Sequence, residues 1–203
     1  MTSDKFTLNS DSGRMAAARY ATEDFARQMG LDAHSGLRLN LLVEETLGMV
    51  KNLVDEFYGQ IWFTGEGSAC QIHLEATANL DEAKKRELIS ASTSGRNAAA
   101  RGFMAMLGDI ISQSLYAYGK NTIRYGIVHV EGTGAPLPPE VTPIWSLQSY
   151  RLELDQEKDQ DAEAGEAWDE LEKSIVGNLA DDVTVGIRGD RIEMVISRDF
   201  GKK

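Results

Sequence analysis

The chain has 203 residues, of which 42% are hydrophobic and 26% charged, a composition typical of a globular protein long enough to bury a core. The formal net charge of -11 argues against nucleic acid and anionic membranes as partners, because both require a basic footprint. A single cysteine, Cys70, excludes an intramolecular disulfide, and no apolar stretch approaches the roughly 20 residues that span a bilayer. These features predict a cytoplasmic protein.

The first third of the chain predicts a short edge strand followed by two amphipathic helices. The strand is expected at residues 5–9, where apolar and polar side chains alternate. The first helix is expected over about residues 14–29, with Gly30 as its C-terminal cap. The second and clearest helix is expected over about residues 36–57, because its apolar residues recur at three- and four-residue steps. Its inward face consists of Leu39, Leu42, Val43, Thr46, Leu47, Val50, Leu53 and Val54.

The next part of the chain predicts a β-hairpin and then further helices and loops. Segments 61–64 and 70–76 are expected to be the two strands of the hairpin, joined by a turn at 65–67. Alternation turns Cys70 inward, so we expect it to serve as a small hydrophobic side chain. A short charged helix, a polar loop, an alanine-rich helix and a further strand are expected at 82–89, 90–97, 102–116 and 122–130.

The final third combines a proline-rich connector, an acidic stretch and a terminal hairpin. The prolines at 136–143 predict a stiff, irregular connector, which we expect to pack against the domain through Trp145. Trp145 and Tyr150 form either a partner-binding patch or a lid on the core. The acidic run at 155–172 is either a solvated helix face or a surface for a basic partner. The strands of the terminal hairpin are expected at 183–187 and 192–196.

Together these elements predict an α/β fold of the α+β type, organised as a two-layer sandwich. We expect a mixed, mostly antiparallel sheet that joins the two hairpins, with the helices on one of its faces. Residues 1–203 are expected to form a single domain.

Two segments resemble the histidine-kinase-like (GHKL, or Bergerat) ATPase superfamily, and most closely its anti-sigma-factor serine kinases. The first is the phrase Phe-Ala…Gly-Leu in residues 25–31, at the end of the first helix. The second is the run at 39–50, which resembles the first nucleotide box of the superfamily. The resemblance covers roughly residues 5–115, and the terminal hairpin would match the closing strands of the family. The segment at about 131–182 is proline-rich and acidic and has no counterpart in the family, so we expect it to be an irregular insertion.

The resemblance assigns roles to one edge of the second helix. The first box carries a glutamate that acts as a base or positions water, and Glu45 fits its place, whereas Glu44 is predicted to face solvent. The family has an asparagine four residues later, which helps to hold Mg²⁺ on the phosphates of ATP. That place is taken here by Met49, whose thioether is a poor ligand for a hard cation. Asn52, one turn further on, is the candidate substitute as metal and nucleotide ligand.

The resemblance also points to nucleotide contacts after the first hairpin. The second box of the family reads Asp-x-Gly-x-Gly, but residues 76–81 lack both glycines, which leaves Asn79 as the candidate for hydrogen bonds to the adenine edge. The third box is a glycine-rich helix start that meets phosphates, and a helix N-terminus suits anions. The candidates for this contact are Gly95, Arg96 and Gly102.

Three functions remain open at this point. The leading hypothesis is a regulatory protein on this ATP-binding fold that contacts a sigma factor or its antagonist, with ATP binding weak or lost. The alternative is an active ATP- and Mg²⁺-dependent serine-protein kinase, with Glu45 as base, Asn52 as metal ligand and Gly102 at the phosphates. The third is a small-ligand-binding module that uses the same cleft. A homodimer is left open.

Overall fold

The computed structural model describes residues 1–9, 12–53, 57–78, 143–188 and 191–201. The helices and strand expected at 82–89, 102–116 and 122–130 lie outside these ranges. Within the described ranges, six strands and five helices follow one another along the chain. They are β1 (Phe6–Asn9), α1 (Ser12–Gln28), α2 (Ala33–Leu53), β2 (Phe57–Glu66), β3 (Ala69–Ala78), β4 (Pro143–Ser146), α3 (Leu147–Glu157), α4 (Ala162–Lys173), α5 (Ile175–Leu179), β5 (Asp182–Arg188) and β6 (Arg191–Asp199).

The six strands form one sheet in the order β1-β2-β3-β6-β5-β4. All of its described pairings are antiparallel, so the parallel pairs that a mixed sheet would contain do not occur among them. β3 joins the first hairpin to the terminal one, with Ile72 opposite Ile196. This confirms the predicted α/β sandwich, including the junction between the two hairpins.

One face of the sheet is buried together with the helices. Strand residues alternate between the two faces, so every second side chain of β2, β3, β5 and β6 points into the core. These strands share one hydrophobic cluster with residues from α1, α2, α3, α4 and α5, which confirms the layer of helices expected on one face. The buried strand residues are Ile61, Phe63, Cys70, Ile72, Leu74, Ala76, Val183, Val185, Ile192, Met194 and Ile196.

Local capping sets the turn between α1 and α2. Gly30 has a φ of 69°, a conformation that favours glycine, and its N–H donates to Arg27 O at 3.1 Å. Leu31 N–H donates back to Ala26 O at 3.0 Å, which completes a Schellman motif and confirms Gly30 as the cap. Asp32 then caps α2 by accepting the Ser35 N–H at 2.8 Å, and this bond lowers the pKa of Asp32.

The hairpin β2–β3 is longer than predicted, and its turn lies two residues later. Phe57 begins β2 and pairs with Ala78, so the prediction that Phe57 ends the second helix is wrong. Gly65 belongs to the strand, and Gly67, with a φ of 59°, makes the turn with Ser68. A Cβ at Gly65 would overlap the sulfur of Met29, so glycine there lets the end of α1 approach the sheet closely.

The segment predicted as an irregular insertion is regular from Pro143 onward. It supplies the edge strand β4 and three helices, and residues 131–142 lie outside the described ranges. Trp145 and Leu147 are 0% exposed and Tyr150 is 3% exposed, so they belong to the core and form no partner-binding patch. The rings of Trp145 and Tyr150 are 5.8 Å apart. This confirms that Trp145 packs against the domain, whereas residues 136–142 of the connector lie outside the described ranges.

Candidate functional site

Helix α2 orients its candidate residues by packing on the sheet and beside α1. Its buried side chains, among them Leu39 and Val43, belong to the core cluster. One flank lies beside α1, where Arg19 Nη1 is 3.4 Å from Glu44 Oε1. Both side chains of this ion pair are about half exposed, so the pair contributes little to stability. Glu44 therefore lies on a solvated flank, as predicted.

Glu45 lies on the other flank of α2. Successive residues of an α-helix are rotated by about 100°, so the side chain after Glu44 points away from α1. Glu45 is half-buried, at the border between the core face and solvent. Positions 49 and 52 follow on the same helix, about 6 and 10.5 Å further along its axis at 1.5 Å per residue. The backbone thus places positions 45, 49 and 52 along one stripe, as the periodicity indicates.

The structure describes only one side chain of the predicted nucleotide site, that of Glu45. The side chains of Met49 and Asn52 lie outside the described part, as do Asn79, Gly95, Arg96 and Gly102 as whole residues. β3 is a central strand that ends at Ala78, so position 79 follows it directly, where the second nucleotide box is expected. Of the expected nucleotide site, the described part of the chain therefore contains the Glu45 side chain and the strand that precedes position 79.

The residues on α2 do not fit Mg²⁺ well. Magnesium takes oxygen ligands in octahedral geometry, and one turn after Glu45 the helix carries a methionine thioether. In the described ranges, no cluster of three or more His, Cys, Asp or Glu side chains is arranged to hold a metal ion. The donor chemistry of this helix thus argues against the metal-binding role of the first box.

A cavity of about 490 Å³ lies at the other end of the central strands. It is lined by residues at the end of β2, the start of β3 and the end of β6, including Thr64, Gln71 and Arg198. Gln71 and Ala78 are seven residues apart on β3, which at about 3.4 Å per residue separates the cavity from the expected nucleotide box by about 24 Å. The cavity therefore lies at the opposite end of β3 from the point where the second nucleotide box is expected.

Most of the charged side chains that line this cavity bind other residues of its walls. Arg198 Nη1 donates to Asp181 Oδ1 at 3.0 Å, and Asp181 Oδ2 accepts the Asp199 N–H at 2.7 Å. Ser68 Oγ donates to Asp199 Oδ1 at 2.6 Å. Cys70 also lines the cavity, but burial raises the pKa of its thiol to about 12, so it stays protonated at neutral pH. This confirms Cys70 as a small hydrophobic residue.

The outer face of the sheet carries a stack of side chains that our sequence analysis missed. Trp62 and His73 are cross-strand partners with ring centroids 5.0 Å apart and planes inclined by 6°. Lys5 Nζ lies 4.0 Å from the centroid of the Trp62 ring. The dipeptide Gly67-Ser68 is the sequence signal that could have predicted this stack. A two-residue hairpin turn at these positions fixes the register in which Trp62 and His73 are partners.

No helix in the described ranges has the length and apolar character needed to cross a membrane. Comparison of the chain with protein-family models, with curated proteins and with solved structures finds no match.

Proposed function

We propose that the chain is a cytoplasmic regulatory protein built on a histidine-kinase-like ATP-binding fold, which acts through protein contacts of the anti-sigma-factor type and has weak or lost ATP binding. The observation that carries the proposal is the placement of Glu45. It is half-buried on the flank of the long helix α2 that faces away from α1, while the position one turn later is a methionine. The place of a catalytic base is retained without the ligand that would hold Mg²⁺ beside it.

The arrangement of elements supports the fold named in this proposal. A strand, a helix and a long helix precede the first hairpin, and the terminal hairpin closes the sheet against β3. This is the order that the resemblance to anti-sigma-factor serine kinases implies. The segment after β3 also supports weakened ATP binding, because residues 79–81 lack the glycines that let the backbone approach the nucleotide.

Exposed apolar side chains on the helical layer support protein contacts. Tyr20 on α1 is 62% exposed and Leu37 on α2 is 57% exposed. Large aromatic and aliphatic side chains of this kind are the usual anchors of protein interfaces. Tyr20 and Leu37 are therefore the first positions to test for contact with a sigma factor or its antagonist.

The nucleotide half of the proposal is tested by calorimetric titration with Mg·ATP. We expect a dissociation constant weaker than about 100 µM or no binding, because loss of a charged ligand commonly removes several kcal/mol. A low-micromolar constant would instead support the serine-kinase alternative, in which Glu45 is the base and Asn52 holds the metal. Transfer of labelled γ-phosphate to a serine of a partner protein would be the direct sign of that activity.

The protein-contact half is tested with a purified sigma factor or antagonist from the same genome. We expect a measurable complex that is weakened at least tenfold by the double substitution Tyr20→Ser, Leu37→Ser, since two anchors together exceed 1.4 kcal/mol. Leu152→Ser is the matched control, because Leu152 is 60% exposed but lies on α3. Equal effects of the double substitution and the control, or no complex with any such protein, would contradict the proposal.

A further inference from the structure

The N-terminal segment Met1–Lys5 lies along the outer edge of β2. Gly65 N–H donates to Met1 O at 2.9 Å, and Ser3 N–H donates to Phe63 O at 2.9 Å. Ser3 Oγ also accepts the Phe63 N–H at 2.9 Å, and Thr2 forms a bridge with Thr64. The segment therefore occupies the backbone groups of β2 that β1 leaves open.

His73 contacts two residues of β2, Trp62 and Thr64, that lie beside this segment. Its ring stacks on Trp62, and the Lys5 ammonium group also lies against the Trp62 ring. Its Nε2 is 2.9 Å from Oγ1 of Thr64, the residue that bridges to Thr2. A change in the charge of His73 therefore acts directly on the Trp62–Lys5 contact, next to the strand position where Thr64 bridges to the segment.

We propose that protonation of His73 releases the segment Met1–Lys5 from β2 and so opens the edge of the sheet at Phe63–Gly65. A neutral imidazole is compatible with a Trp62 ring that already binds the Lys5 cation. An imidazolium would place a second cation against the same ring, and the two like charges repel each other. Because an exposed strand edge readily pairs with another strand, the released state offers a binding edge that the closed state hides.

Burial and the nearby Lys5 cation favour the neutral state of the His73 ring. From the N-terminal segment it faces Lys5, and from β2 the uncharged Trp62 and Thr64. Glu75 is its neighbour on β3, where it pairs with Arg191, and Val195 lies opposite on β6 next to Glu193. Although these two carboxylates favour protonation, burial and then Lys5 lower the pKa of His73 below its ordinary 6.5. Protonation therefore acts against the contacts that hold the segment.

The test is amide hydrogen exchange measured by NMR, with the His73 ring titrated in the same samples from about pH 7.5 to about pH 5. After correction for the intrinsic exchange rates, we expect protection of the Ser3, Phe63 and Gly65 amides to fall as the pH is lowered. The fall should be about tenfold for each unit by which the pKa of His73 is lower in the closed state than in the released state. The midpoint of this loss should coincide with the titration of the ring. The Leu31 amide, in the helix cap, is the control and should keep its protection.

Two variants separate this coupling from general acid destabilisation. His73→Gln cannot gain the proton, so it should keep the three amides protected at about pH 5. Lys5→Gln removes the opposing cation, so it should raise the midpoint of His73 and weaken the release. Protection that stays constant while the ring titrates would overturn the proposal, and so would equal acid loss in His73→Gln. If His73→Gln does not fold, the comparison of midpoints in the unmodified protein decides the question.

Discussion

The substitution Trp145→Ala tests whether the segment after Pro143 is part of the core of the domain. Trp145 is 0% exposed and packs beside Tyr150, whose ring centroid is 5.8 Å away. It stands opposite Val185 on the neighbouring strand β5. The sequence resemblance treats this segment as an addition to the fold, so a dispensable segment would tolerate the change.

The expected magnitude follows from the buried area. A buried tryptophan side chain removes about 200 Å² from water, which at about 25 cal/mol per Å² corresponds to roughly 5 kcal/mol. Large-to-alanine changes at aromatic core positions cost about 3–5 kcal/mol, so we expect Trp145→Ala to lower the free energy of unfolding by about 4 kcal/mol. For a chain of 203 residues this lowers Tm by about 8–16 °C.

Urea denaturation followed by circular dichroism is the assay, and Trp168→Ala is the matched control. Trp168 is half-buried, with Lys158 Nζ 3.9 Å from its ring and its Nε1–H donating to Glu172 at 2.9 Å. We expect the control to cost no more than about 2 kcal/mol, because it removes exposed contacts of the size of a cation–π pair. Equal losses from the two substitutions would refute the placement of Trp145 in the core. Trp145→Phe, which keeps most of the volume, serves if the alanine variant does not fold.

Four further predictions test the candidate site and the packing of the fold. Glu45→Ala should barely change partner binding if the protein is a regulator, whereas a loss of about 10²–10⁴-fold in a phosphoryl-transfer assay would identify a general base. Met49→Asn restores the four-residue spacing of the first box, and we expect a small gain in Mg·ATP affinity by calorimetry. A loss of more than about 3 kcal/mol in the free energy of unfolding would mark Met49 as a core residue and contradict the cleft assignment. Arg151→Met should lower the free energy of unfolding by about 1–3 kcal/mol, because the half-buried guanidinium donates to the backbone carbonyls of three residues in α5 and just after it. These residues are Gly177, Ala180 and Asp181. A cost near zero in urea denaturation would refute this capping role. The pKa of His73 is lowered in the folded state, so the unfolded chain binds the proton more readily. Neutral His73 therefore stabilises the fold above about pH 6.5, and this effect is lost as the pH falls. The free energy of unfolding should depend less on acid pH in His73→Gln, and an unchanged dependence would contradict the assignment.

The sequence by itself determined the elements whose signals are local. The three- and four-residue steps of apolar residues define α1 and α2, and they also place Glu45 on the edge of the apolar face of α2. Gly30 ends α1 because glycine adopts a positive φ without steric cost. Strict alternation defines β3 and the strands of the terminal hairpin. Each of these signals depends only on residues a few positions apart.

The tertiary structure decided the features that depend on distant partners. Phe57 looks like a helix end in the sequence, but it pairs with Ala78 and so begins β2. Gly65 looks like a turn residue, but its missing side chain makes room for Met29, which directly follows the distant helix α1. The sequence left Trp145 as either a partner-binding patch or a lid on the core, and the tertiary structure decided for the core, because only the assembled sheet and helices offer it apolar contacts. Register and burial are properties of the whole assembly, and no short window of sequence contains them.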